Sequence, residues 1–269
     1  ERTTRTVRSR SKYKKGEGTA KKTAVPEKKA GSNFIIQGSI LAIAGIIVRL
    51  IGMLYRIPLA NYIGDEGNGY YSAAYNIYSI MLILSSYSLP VAVSKMVSAR
   101  LARGQYRNAR KILRAALFYA TIVGGVGFCA LWFGSGFFAE HVIKMPYSAY
   151  ALKVLAPTVW IMAYLGVLRG FFQGHSTMVP TAVSQIFEQI VNAVISLLAA
   201  KSLFDLGVKS NLVYGSPEYS YAFGAAGGAL GTGAGALTAL ILFVGLYLMY
   251  RPKMKRRIRK EQGTSAEGY

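Results

Sequence analysis

The chain has 269 residues, 52% of them hydrophobic, and a formal net charge of +21. Repeated apolar runs of about 20 residues, the length an α-helix needs to cross a bilayer, exclude a soluble globular domain, and their continuity argues against an alternating β-barrel. A single cysteine, Cys129, excludes an intrachain disulfide, and it and the two histidines, His141 and His175, show no metal-ligand spacing.

Residues 1–32 carry eleven Lys and Arg and no apolar core segment. They read as a basic, disordered cytoplasmic tail rather than a signal peptide. Residues 33–250 then hold six predicted spans, roughly 34–58, 70–96, 115–138, 149–168, 179–203 and 224–250, and 251–269 form a basic cytoplasmic segment. The expected fold is all-α, a polytopic six-helix transmembrane bundle.

Span one carries Arg49 and Arg56 within an otherwise apolar run. Its thirteen Leu, Ile, Val and Phe residues between Phe34 and Ile57 favour insertion by about 4 to 8 kcal/mol. Two arginines deep in the membrane oppose it by about 5 to 7 kcal/mol. Seven residues apart, the two point the same way, about 10 Å apart along the axis. Two readings stand side by side: side chains snorkelling at a span end, or the cationic wall of a hydrated cavity.

Span two, "YYSAAYNIYSIMLILSSYSLPVAVSK", sets Tyr71, Tyr75, Tyr78 and Ser85 on one side. Tyr75 and Tyr78 are candidate cavity residues, with an interfacial aromatic belt as the alternative. Pro90 and, in span four, Pro157 predict kinks. The third span holds Cys129 as an ordinary small core position.

In span five, "VPTAVSQIFEQIVNAVISLLAA", Thr181, Gln185, Glu188, Gln189, Asn192 and Ser196 fall within an arc about 100° wide, and only Ser184 lies outside it. A stripe of this kind must face protein or water. It predicts either a hydrated cavity with Glu188 at its centre or an interhelical hydrogen-bond seam. Span six repeats Gly227, Gly231 and Gly235 at four-residue steps, a face for close helix packing.

Charge sets the orientation. The segment 95–114 carries seven Lys and Arg with no acid, and 251–260 carries seven more, whereas the loops expected on the other side are balanced or acidic. The positive-inside rule then puts both termini and the 98–114 loop in the cytoplasm, with 61–69 and 204–222 outside. Attraction to anionic membrane lipids accounts for the basic balance. With one aromatic, Tyr13, in the tail, base stacking has little support and no nucleic-acid partner is expected.

The stretch "GMLYRIPLANYIGDEGNGYYSAAYNIYSIMLILSSYSLPVAVSK" and the stretch "LRGFFQGHSTMVPTAVSQIFEQIV" together resemble stage V sporulation protein B-type polysaccharide transport proteins. These belong to the multidrug/oligosaccharidyl-lipid/polysaccharide (MATE-like) flippase superfamily and are related to lipid II flippases. The resemblance covers about residues 33–250. It implies one lobe of a two-lobe transporter in the bacterial cytoplasmic membrane, with a lipid-linked oligosaccharide pyrophosphate as substrate and alternating access as the mechanism. It also implies that basic residues of the first span face the cavity, Arg56 being the best match and Arg49 a less specific one. Such proteins have twelve or more spans, so a further six-span lobe or a second copy of this chain is an expected partner. No catalysis and no cofactor are expected, with coupling to a cation or to the membrane potential left open. A cation-coupled small-molecule exporter, with Glu188 taking the ion, and a non-transporting membrane scaffold are the competing readings.

Overall fold

The computed structural model describes residues 27–266, with side chains from 35 to 261. The tail expectation for residues 1–26 lies outside the described residues. Residues 27–32 are already helical. Helices dominate, and no strand occurs among the described residues, as the bilayer demands of a chain whose backbone must satisfy its own hydrogen bonds.

The first helical run, α1 (Glu27–Ser85), departs from expectation. Spans one and two were expected to be separated by a loop at 61–69, but the run is interrupted only at Gly64, with φ 70 and ψ 176. Among the described residues there are therefore five rather than six separate helices long and apolar enough to cross a membrane. A straight helix over Ile35–Leu101 would be about 100 Å long, some three times the hydrocarbon core. It is not straight, because the Arg56 guanidinium lies 5.9 Å from the Tyr75 ring, across nineteen residues that a continuous helix would spread over about 28 Å. The chain doubles back at Gly64, where the left-handed φ favours glycine. Two membrane-length limbs result without an intervening loop.

The second limb ends in a turn at Ser86–Ser88, and α2 (Leu89–Leu101) restarts with Pro90 in its first turn. Proline lacks the N–H that a helix interior needs but loses nothing there. The kink expected from Pro90 is thus a full break. Pro157 sits within α4 (Ala149–Gln173), which runs on without interruption. Between them, α3 (Tyr106–Phe137) ends in a π-turn (Phe138–Ile143) and a single 3₁₀ turn (Pro146–Ser148), and its Cys129, expected in the core, lies on the exposed face of the helix.

The last two helices overrun their predicted spans. α5 (Val179–Tyr214) continues eleven residues past 203, so most of the expected 204–222 loop is helix. α6 (Glu218–Ala266) runs on through the basic segment. At about 54 and 74 Å both project beyond the hydrocarbon layer.

α4 is the central helix, buried on most of its circumference from Ala151 to Phe172. One core group joins its Leu152, Leu155 and Val159 to Leu59, Ile63 and Tyr78 of the two α1 limbs. A second joins Leu165, Leu168 and Phe171 to Val93 of α2, Leu113 of α3 and Phe243 of α6. Small residues set the spacing. A Cβ on Gly170 would sit 2.6 Å from the Pro90 carbonyl, and Gly227, Gly231 and Gly235 lie directly against Ala199, Ser196 and Glu188 of α5. The packing role expected of the span-six glycines is what the helix pair displays.

Candidate functional site

Arg49 and Arg56 lie on an exposed face of the first α1 limb. Gly52 lies between them, and a Cβ there would be 3.2 Å from Gln189 Nε2. The arginine face therefore borders the polar face of α5. Arg56 is held over the half-buried Tyr75 ring, a cation–π geometry that limits where the guanidinium can point. Tyr75 in turn sits between Tyr71 and Tyr78, its ring tilted against both at centroid separations of 5.9 and 5.4 Å. Tyr71 and Tyr78 are core side chains, so of the tyrosine row only Tyr75 reaches the arginine side.

The α5 stripe divides into two kinds of contact. Thr181, Asn192 and Ser196 are buried. Gln173 Nε2 reaches the Thr181 hydroxyl at 3.3 Å, Asn192 Nδ2 donates to the Tyr55 hydroxyl at 3.4 Å, and the Ser196 hydroxyl makes 3.0 and 2.8 Å contacts with Asn192 Oδ1 and the Gly228 carbonyl. This part is the hydrogen-bond seam, and it includes Asn192, expected on the cavity wall. Gln185, Glu188 and Gln189 are only half-buried.

Glu188 does not turn towards Arg49 or Arg56. Its Oε2 accepts from Arg169 Nη2 of α4 at 2.6 Å, the one ion pair among the described residues, with side-chain exposures of 21% and 10%. Arg169 Nε and Nη2 also reach the Ser184 hydroxyl, at 3.3 and 3.2 Å, while that hydroxyl donates to the Thr181 carbonyl at 2.8 Å. Charge-assisted bonds of this kind are the strong ones. Beside the pair lies a cleft of about 220 Å³, lined by Arg169, Gln173, Thr181 and Gln185 and by Ser86, Tyr87 and Pro90 at the helix break.

Two participants are not evident from residue pattern alone. Arg169 reads as one more basic residue of the link between spans four and five, because the predicted span ends at 168. The Gly166, Gly170, Gly174 spacing was the available signal that α4 continues, packed, beyond it. Ser184, the outlier from the stripe, stands one turn before Glu188, so the two share a partner off the stripe's axis. Among the described residues no group of His, Cys, Asp and Glu is arranged to hold a metal ion.

Residues 36–260 match the polysaccharide biosynthesis protein family. Among curated proteins, the chain is 32% identical over 208 residues to the lipid II flippase MurJ of Bacillus subtilis (strain 168), covering 73% of this chain and 38% of that protein. It is 32% identical over 231 residues to stage V sporulation protein B of the same organism, covering 86% of this chain and 42% of that protein. The chain thus spans about two fifths of the length of these relatives. No solved structure matches it.

Proposed function

The chain belongs to the polysaccharide biosynthesis protein family, and on that premise we propose that it is one lobe of a flippase that moves an undecaprenyl-pyrophosphate-linked glycan across the bacterial cytoplasmic membrane by alternating access. It is a multi-pass membrane protein of the polysaccharide transport class. In this reading both termini face the cytoplasm. A second six-span lobe, or a second copy of this chain, covers the α1/α5 face and closes the cavity.

The observation that carries the proposal is the distribution of charge. Glu188, the acid at the middle of the α5 stripe, is paired with Arg169. Arg49 and Arg56 have no carboxylate partner among the described residues. Their face is therefore net cationic, and a guanidinium pairs well with phosphate oxygens through two parallel hydrogen bonds. The cation-coupled exporter needs a free carboxylate at Glu188, and Arg169 occupies it. No enzymatic step is invoked.

The test is complementation of a flippase-depleted bacterium by the complete transporter, with protein levels checked by blotting. Arg56→Ala should abolish complementation while insertion is kept, since span one becomes more apolar. Arg56→Lys should be intermediate, a point charge lacking the fork geometry. Full complementation by Arg56→Ala at normal expression overturns headgroup binding.

A further inference from the structure

At the end of the lobe where α2 finishes and α3 begins lies a crevice of about 620 Å³, bounded also by the α4–α5 link and by the extension of α6. It shares no lining residue with the cleft beside Arg169 or with the arginine face of α1. Its lining includes two cations, Lys95 and Arg257, and no carboxylate.

Arg257 is half-buried, with its guanidinium 5.2 Å from the Tyr106 ring, so it is placed rather than free to sweep through solvent. One edge of the crevice is pinned where the Arg107 backbone N–H donates to Glu261 Oε2 at 3.0 Å. At its back stands His175. The His175 Nδ1 lies 2.8 Å from the Phe171 carbonyl, and Nε2 is buried without a partner, an arrangement that calls for an explanation. Ser176, next in the chain, holds the left-handed φ of 59, uncommon for a residue with a Cβ and a mark of local strain. It brings a hydroxyl to the same crevice.

We propose that this crevice is a binding site for a phosphate-bearing anion, taken up between Arg257 of α6 and Lys95 of α2 and separate from any transport cavity. Arg257 supplies fork geometry and Lys95 a point charge. Ser176 and Tyr106 supply hydroxyls. Such an occupant ties together α2, the α4–α5 link and the last turns of α6. The same chemistry is offered by a phospholipid headgroup and by a soluble phosphate compound. Diffuse attraction of basic residues to an anionic surface is the alternative, and it needs no site.

The test is hydrogen–deuterium exchange on the full chain in phosphatidylcholine nanodiscs, titrated with inorganic phosphate at constant ionic strength, beside nanodiscs containing phosphatidylglycerol. Protection confined to residues 95–106, 174–178 and 250–258 on adding phosphate identifies a soluble ligand. The same protection with phosphatidylglycerol alone identifies a lipid headgroup. In either case Arg257→Gln and Lys95→Gln should each raise the half-saturation point about tenfold, the loss of one charge-assisted hydrogen bond. Arg259→Gln, which removes an equal charge from the exposed side of α6, should leave it unchanged. Absence of local protection under both conditions overturns the proposal, as does equal weakening by Arg259→Gln.

Discussion

Glu188→Gln removes the negative charge from the Arg169–Glu188 pair while keeping an oxygen that can still accept a hydrogen bond. Arg169 is left as a cation only 10% exposed. Breaking a buried pair by removing one partner costs about 3 to 5 kcal/mol, because the remaining charge stays desolvated. Here the lower end applies, since the Ser184 hydroxyl still lies 3.2 Å from Nη2 and the adjoining cleft of about 220 Å³ has room for water. For a chain of this size about 3 kcal/mol corresponds to a fall of roughly 6 to 12 °C in the unfolding midpoint. Heating the detergent-solubilised protein and following the fluorescence of Trp132 and Trp160 gives that midpoint. The companion variant Arg169→Met with Glu188→Met removes both charges together, and replacing a buried pair by apolar side chains is often neutral. It should recover most of the loss. A drop smaller than about 2 °C for Glu188→Gln, under 1 kcal/mol on the same scale, would refute the reasoning. So would a double variant no better than the single one.

Further outcomes follow from the same geometry. In a Cys129→Ala background, a cysteine at Gln185 should react with a small water-soluble thiol reagent, while one at Asn192, buried against Tyr55, should be protected; the reverse order would contradict the division of the α5 stripe. Gly231→Val should prevent α5 and α6 from closing, since even a Cβ there meets Ser196, and it should lower expression far more than Gly245→Val, where a Cβ meets nothing; equal expression of the two would show that the contact is not limiting. A cysteine at Asn108 should be labelled only after the membrane is permeabilised; labelling in intact cells would invert the orientation drawn from the positive-inside rule.

Hydrophobic length and periodicity carried the all-helical class, the small-residue face of α6 and the polar face of α5, because each is a regular pattern at helical spacing. Contacts that depend on how the helices assemble were less visible. The Gly64 reversal is one case: "NYIGDEGNGYY" looks like a polar loop, yet a single left-handed residue turns the chain and the flanking residues stay helical. The Arg169 pairing is another. Charge counting treats an arginine near a span end as a topology signal, and only packing reveals that α4 carries it inward to Ser184 and Glu188. The stripe on α5 showed which residues avoid lipid but not which neighbour each one meets. Asn192 and Glu188 lie four residues apart, yet one joins the seam with Tyr55 and the other leaves it for α4.

That divergence decides how the arginine face can work. Had Glu188 turned towards Arg56, the first limb of α1 would be locally neutral and an anionic headgroup would have to displace a bonded carboxylate. With Glu188 held by Arg169, the arginine face keeps its charge, and Gln189 beside Gly52 offers a neutral polar neighbour instead of a competitor. An arginine facing hydrocarbon at the centre of a span costs about 3 kcal/mol, so two on one uncovered face require water, a partner lobe or an anion. Arg56 over Tyr75 is the better placed of the two, because the ring fixes the guanidinium without neutralising it. In the proposed reading, a cationic site aimed and left unpaired in this way is what would hold a pyrophosphate, with no bonded carboxylate to displace.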